Sequence, residues 1–471
     1  MATKTCIVLS VFGGLLIAAL SVAPVTAQEH KAAVTFHKDV LPILQKNCQS
    51  CHRPGQIGPF SMLSYKETRP WAKSIKAAVV SKAMPPWLAD PKYGHFDNDR
   101  SLKQTEIDAI VSWVDNGAAE GDPKDAPVPV QWPAEGWQVQ PDVVVELPPH
   151  PVPARGIVDW ENFAVAAPFK EDTWVTSVAV LPGEPSVVHH MCFGFEKHRP
   201  TTMYNTYEWM EVPRDEEGVA TNRVRPTDTG EGAGANQEGT VALREVGSNE
   251  VKRHHGRAVI IPKADFCYLP GLPVEDYRPV NGALFVPAGS DIVLSTHYTT
   301  NGLAAVDKTR IGFTVTKTPP LRQYLPQSGD NDTASPVKQK SRITEIEIPP
   351  FEGNYIAPAT EITFLKDIEL VSLRPHAHVR AKSVQYKLIY PDGREEIVLN
   401  VPRYDFNWQL TYRTSLKIPK GSRMEVRFAY DNSANNKYNP DPSKWVYYGQ
   451  QSWEEMGTPF LGFLVDRGAG K

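Results

Sequence analysis

The stretch Thr173–Phe195, "TWVTSVAVLPGEPSVVHHMCFGF", decides the class of the central chain. Two runs rich in β-branched and apolar residues flank Pro182-Gly183, which reads as strand, turn, strand. The second run carries His189 and His190 side by side, with Met191 and Cys192 directly after. In a regular strand neighbouring side chains point to opposite faces. One histidine would then meet the core and the other the solvent, so a task shared by both needs something else.

Other segments repeat the β pattern. "DIVLSTHYTTNG" reads as a strand ending at Asn301-Gly302, and "SVQYKLIYPDGREEIVLNV" as a hairpin about Pro391-Asp392-Gly393. The 42 prolines favour turn-rich β domains and extended linkers over a helical bundle. At 471 residues the chain is too long for a single core. With 41% hydrophobic and 22% charged residues it is globular. A net charge of −4 argues against nucleic-acid binding, since there is no basic excess to neutralise phosphates.

Before the β region the period changes. Val40, Leu41, Ile43 and Leu44 share a helix face, Trp71–Lys82 is a second helical stretch, and Ile107, Ile110, Val111 and Val114 follow helical spacing up to Gly117. Residues 34–122 are thus expected to form a small all-α domain, and 123–144 a proline-rich linker. Two β domains are expected at 145–318 and 341–471, with polar residues 317–340 around the boundary. Residues 201–257 are polar, Gly- and Glu-rich and without periodicity, and read as a long loop insertion, a lid or disordered. Residues 1–27 read as a cleaved export signal: Lys4, an apolar run, then Val25-Thr26-Ala27. The mature chain is expected in the bacterial periplasm or secreted, with no stable membrane insertion.

Within the helical part, "NCQSCHRPG" carries Cys48, Cys51 and His52 as C-x-x-C-H, the attachment signature of one covalent c-type haem. The thiols form thioethers and His52 is one axial ligand. Zinc would need further Cys or His nearby, and a thioredoxin-like pair would need a βαβ setting. Met84 in "KAMPPWL" is the expected second axial ligand, with His37 and His95 as competitors. The β half carries His189-His190, His297 in "STHYTT", His376 and His378 in "RPHAHVR", and Met456 in "SWEEMGTPF". His376 and His378 are two apart and project from one strand face. Imidazole suits transition metals and a thioether favours copper. His254-His255 is also a pair, but it lies among basic residues and reads as a surface turn.

In this order the motifs HHM, HY, HAH and a later Met resemble those of the copper type II, ascorbate-dependent monooxygenases, the group of peptidylglycine α-hydroxylating and dopamine β-monooxygenases. The likeness spans residues 150–460. It implies two β-sandwich (jelly-roll-like) domains with one copper each, two in all. His189, His190 and His297 would hold an electron-transfer copper; His376, His378 and Met456 would hold the copper where oxygen binds and a C–H bond is hydroxylated. Adjacent ligands then require a bulge or strand end at His189-His190. By position the resemblance gives Arg374 a substrate-carboxylate role, against a structural salt bridge. Gly457-Thr458-Pro459 depart from the family's peptide-contacting pattern. The family's animal enzymes carry several disulfides, whereas only Cys192 and Cys267 are available here, either as a pair or with Cys192 free.

The resulting expectation is an exported fusion of a cytochrome c domain with a copper monooxygenase, taking electrons from a periplasmic donor and acting with O2 on a small-molecule or peptide-like substrate. The alternative is a non-enzymatic electron-transfer cytochrome whose β half binds copper or docks a partner. A nitrite-reductase-like cupredoxin would need a His-Cys-Met set that only Cys192 could supply.

Overall fold

Alternating apolar residues drive most of this chain into strands. In Arg423–Tyr430 the inward residues are Met424, Val426, Phe428 and Tyr430, one per two positions. Ser290–Tyr298 is buried along its whole length, as a strand covered on both faces must be. The computed structural model describes residue 1 and residues 34–133, 136–156, 158, 161–198, 204, 224–226, 242–245, 251–253, 265–327, 335–340, 345–449 and 451–467. The fold is mostly β-sheet with few, short helices. The expected export signal, apart from residue 1, and His254-His255 lie outside the described residues.

Two β layers enclose the first core. One contains the strands Val143–Glu146, Arg310–Thr316, Thr173–Leu181 and Gly282–Val286; the other contains Glu161–Ala166, Ser290–Tyr298, Val188–Lys197 and Phe266–Tyr268. Val178 and Phe313 from the first meet Phe193, Phe266 and Ile292 from the second. The two strands of Thr173–Phe195 therefore lie in different layers, and the turn between them crosses the sandwich rather than closing a hairpin. Asp307 clamps that turn, accepting from the backbone N–H of Gly183 (2.9 Å) and Glu184 (3.0 Å). Gly183 has no room for a side chain: a Cβ there would lie 2.5 Å from the Lys308 nitrogen.

A second core lies between Ile368–Ala377, Tyr412–Ile418 and Gly457–Asp466 on one side and Thr360–Phe364, Ala381–Ile389, Glu395–Val401 and Arg423–Tyr430 on the other. The hairpin about Gly393 is present, with Ala381–Ile389 paired to Glu395–Val401. The polar stretch expected between the domains instead contains the strand Arg322–Gln327. It pairs in parallel with Gly282–Val286 and antiparallel with Gly457–Asp466, so one nine-stranded sheet runs through both units. Within 201–257, read as an aperiodic loop, three short strands pair as an antiparallel sheet. Their pairing is backbone hydrogen bonding, which needs no apolar alternation in the sequence.

Between residues 34 and 126 the described elements are helices, with a separate core of Phe36, Leu44, Ile75, Ile110 and Trp113. Gly117 takes φ +91° just beyond Gln104–Asp115, the left-handed stop its position suggested. This segment is not a freely tethered unit. Trp87, Leu88, Ala89 and Phe96 pack into the second β core, and the Trp87 ring meets Tyr412 edge-on at 5.0 Å. Asn98 donates to the Thr411 carbonyl (2.7 Å) and accepts from the Arg413 N–H (2.8 Å). Replacing Asn98 by alanine is expected to cost about 0.5–1.5 kcal/mol per hydrogen bond lost, because one is exposed and the other only part-buried. Faster limited proteolysis between residues 87 and 100 is the readout.

Candidate metal centre

The strand Val188–Lys197 runs antiparallel to Ser290–Tyr298 with His190 opposite His297, but the next pair is Val188 with Tyr298. His189 is the extra residue of a β-bulge. The bulge expected at His189-His190 is present, and it answers how two neighbours can serve one site: the inserted residue re-aims its side chain. His189 Nδ1 lies 2.9 Å from His190 Nδ1 and 3.3 Å from His297 Nδ1. One nitrogen from each of the three rings falls within 4.8 Å of the others. Burial lowers all three pKa values, that of His189 to about 4, and the neighbouring imidazoles add to the effect at His190 and His297. Neutral rings keep a lone pair for a metal.

His376 is the penultimate residue of the strand Ile368–Ala377, and His378 follows the strand; their rings are 5.3 Å apart. His376 Nδ1 donates to the Gln409 side-chain carbonyl, and His378 Nδ1 donates to the Glu454 backbone carbonyl at 3.1 Å. Such partners fix the tautomer of a metal-ligating histidine. Burial holds the His376 pKa near 4 and lowers that of His378 well below the ordinary value. Met456 directly precedes Gly457, which pairs with Ala377, so its backbone stands level with His378. Tyr430 anchors it by donating to the Met456 carbonyl at 2.6 Å. Replacing Gln409 by leucine is expected to weaken metal binding at His376 and His378 by about 10–100-fold, with His189, His190 and His297 unaffected; competition titration with a chelator measures both.

The two sets meet. The His190 and His376 ring centroids are 6.2 Å apart, and Phe406 lies against His189 (5.0 Å), His297 (5.9 Å) and His378 (6.1 Å). Ser452 Oγ comes within 3.4 Å of His297 Nε2. Five imidazoles from two β units thus form one cluster around a phenyl ring. Beneath His378 the buried Glu455 carboxylate accepts from the backbone N–H of His378 (3.0 Å) and Arg380 (2.6 Å). Burial pushes the Glu455 carboxyl up to about 8, against the Arg380 guanidinium and these donors. Gln409, Phe406, Glu455 and Ser452 carried no signal in sequence, since an amide or a phenyl ring in a loop has no diagnostic spacing.

Arg374 is buried, 3.8 Å from a Glu275 carboxylate oxygen and over the Phe460 ring at 4.9 Å. Its charge is thereby engaged in a salt bridge, the structural alternative to a substrate contact. Cys192 and Cys267 stand opposite one another on paired strands and form a disulfide.

In the helical segment Cys48 and Cys51 are free thiols, and burial pushes Cys48 up to about 12. His52 Nδ1 donates to the Phe60 carbonyl at 3.2 Å, leaving Nε2 for a metal. The loop after the motif folds back over it: Gly58 N–H donates to the Cys51 carbonyl, and a Cβ at Gly58 would meet His52 Cα at 2.8 Å. Met84 is half-buried beyond the helix Ala72–Val80. His37 faces Glu120 at 3.5 Å, and His95 is exposed on the loop packed against the second β unit.

No family model and no curated protein matches this chain. Among solved structures it is similar to a Paenibacillus xanthan lyase, at 11% identity and a TM-score of 0.17, over 74% of this chain and 28% of that one. It is also similar to a structure of the infectious bursal disease virus Gx strain, at 8% identity and a TM-score of 0.17, over 70% and 74% of the two chains. This chain spans little more than a quarter of the lyase's length.

Proposed function

We propose that this protein is an exported haem- and copper-containing oxidoreductase, a copper-dependent monooxygenase that hydroxylates a substrate C–H bond with O2. In this reading residues 34–122 are a cytochrome c domain and the β half is two copper-binding sandwich domains. The observation that carries it is the five-imidazole cluster, divided by its hydrogen bonds into a set converging through Nδ1 and a set held at Nδ1 by Gln409 and Glu454. Two nitrogens with a thioether suit copper, and three nitrogens suit it equally. The free thiols Cys48 and Cys51, with His52 oriented by Phe60, fit a covalent haem, and Met84 would be a further ligand.

When bound, copper supplies one-electron reduction of dioxygen and the haem supplies electrons from an external donor. The chain's own work is positioning. Gln409 and Glu454 orient His376 and His378. Glu455 fixes the backbone that carries His378, and Phe406 excludes water between the two sets. Arg374 is given no substrate role, because Glu275 already holds its charge.

The test is metal and haem content of the purified, periplasm-matured protein, with optical and paramagnetic resonance spectra. One haem iron and two coppers with histidine-ligated Cu(II) signals are expected. Haem without copper after reconstitution would overturn the monooxygenase and leave an electron-transfer cytochrome with a docking module.

A further inference from the structure

We propose that electrons enter the histidine cluster through the turn Leu269–Leu272, passing from the Cys51 thioether across Gly271 and along the Tyr268–Met191 strand pair to His190. This rests on the reading of a haem at Cys48, Cys51 and His52 and copper at His189, His190 and His297. Three observations place the route. First, Gly271 faces the haem motif with nothing between: a Cβ there would lie 3.2 Å from Cys51 Sγ and 3.1 Å from Arg100 Nη1. Arg100 Nη2 also donates to the Gly271 carbonyl at 3.2 Å, pinning the turn to the helical segment.

Second, the turn leads directly into the metal-bearing layer. The Leu272 N–H donates to the Leu269 carbonyl at 2.8 Å, and Tyr268 pairs across the sheet with Met191, the residue after His190. The next pair, Cys192 with Cys267, is covalently joined, with Cα atoms 4.0 Å apart. Met191 is 0% exposed, and Tyr268 and Cys267 are 4% exposed, so the path is dry and close-packed. Third, the helical segment is fixed on its other side by the Asn98 hydrogen bonds and the Trp87 contact with Tyr412. The separation is therefore set by the fold and does not depend on a swinging tether.

Each event moves one electron: haem iron(II) becomes iron(III) as copper(II) becomes copper(I), with no bond made or broken in the protein. The haem is re-reduced by the external one-electron donor. Tyr268 is buried, with its pKa raised chiefly by that burial, and contributes packing to the path.

The experiment is rapid mixing of ferrous-haem protein with Cu(II) loaded at the histidines, without oxygen, following oxidation of the haem α-band. A first-order rate independent of protein concentration is expected. Gly271→Leu, which forces the turn away from the sulfur, is expected to slow it measurably at unchanged haem content, copper stoichiometry and haem potential. With both cofactors bound, a rate proportional to protein concentration, or an unchanged rate in a folded Gly271→Leu, would overturn the route and leave the proposed function standing. Failure of the haem or the copper to bind would overturn both.

Discussion

Replacement of His376 by alanine is expected to stop oxygen uptake while the c-type haem spectrum and the metal at His189, His190 and His297 remain. Losing an outer partner of a metal-bound histidine costs about 10–100-fold in affinity or activity. Losing the ligand itself should therefore exceed about 100-fold. His376 is 7% exposed, and its Nδ1 is held by Gln409. A water taking its place would meet an amide carbonyl and the Phe460 ring, 5.9 Å from the imidazole, a poor mimic of a basic nitrogen. Copper stoichiometry by elemental analysis, together with oxygen-electrode rates, separates this outcome from general unfolding. Retention of two coppers and full oxygen uptake would remove His376 from the site.

Replacement of Glu455 by alanine is expected to be the most damaging change for stability. The side chain is 0% exposed, and it accepts from two backbone N–H groups, those of His378 and Arg380. Each donor left buried without an acceptor costs about 1–3 kcal/mol, and the Arg380 guanidinium, itself 2% exposed, loses its neighbouring carboxyl group. A total of about 2–6 kcal/mol follows by summing the two donors. Chemical denaturation monitored by tryptophan fluorescence measures it. The His378 and Arg380 N–H groups bind different oxygens, so Glu455→Gln keeps one of the two acceptors and should recover only part of the loss. If alanine and glutamine prove equally mild, Glu455 does not hold the backbone at His378.

Much of the site was legible because its chemistry is local. His189-His190 and His376/His378 announce themselves by residue type and spacing, and the demand that neighbours share a task pointed to a bulge. Residues placed by long-range packing were not legible. Phe406 and Gln409 sit in "DFNWQ", where neither spacing nor composition separates a site from a surface loop. The strand Arg322–Gln327 read as a domain boundary because it is polar and contains Pro326; its partners are far along the chain. Residues 87–98 read as part of a helical domain, yet their apolar side chains, Trp87 and Phe96, belong to a core built almost entirely from residues beyond 335. Local periodicity reports which face is buried and carries no record of what buries it.

The docking of Asn98 on Thr411 joins residues 313 apart in the chain, and the strand Gly457–Asp466 completes the sheet that runs through both β units. Closing such distant contacts makes folding slow and late, since loop entropy is lost before the contacts reward it. As the chain emerges N-terminus first, the segment around Trp87 must wait for nearly all of it, with apolar side chains uncovered meanwhile. Shortening the chain to end before Tyr412–Ile418 would therefore leave the early helical segment without its seat, and chaperone dependence should be governed from the C-terminal half.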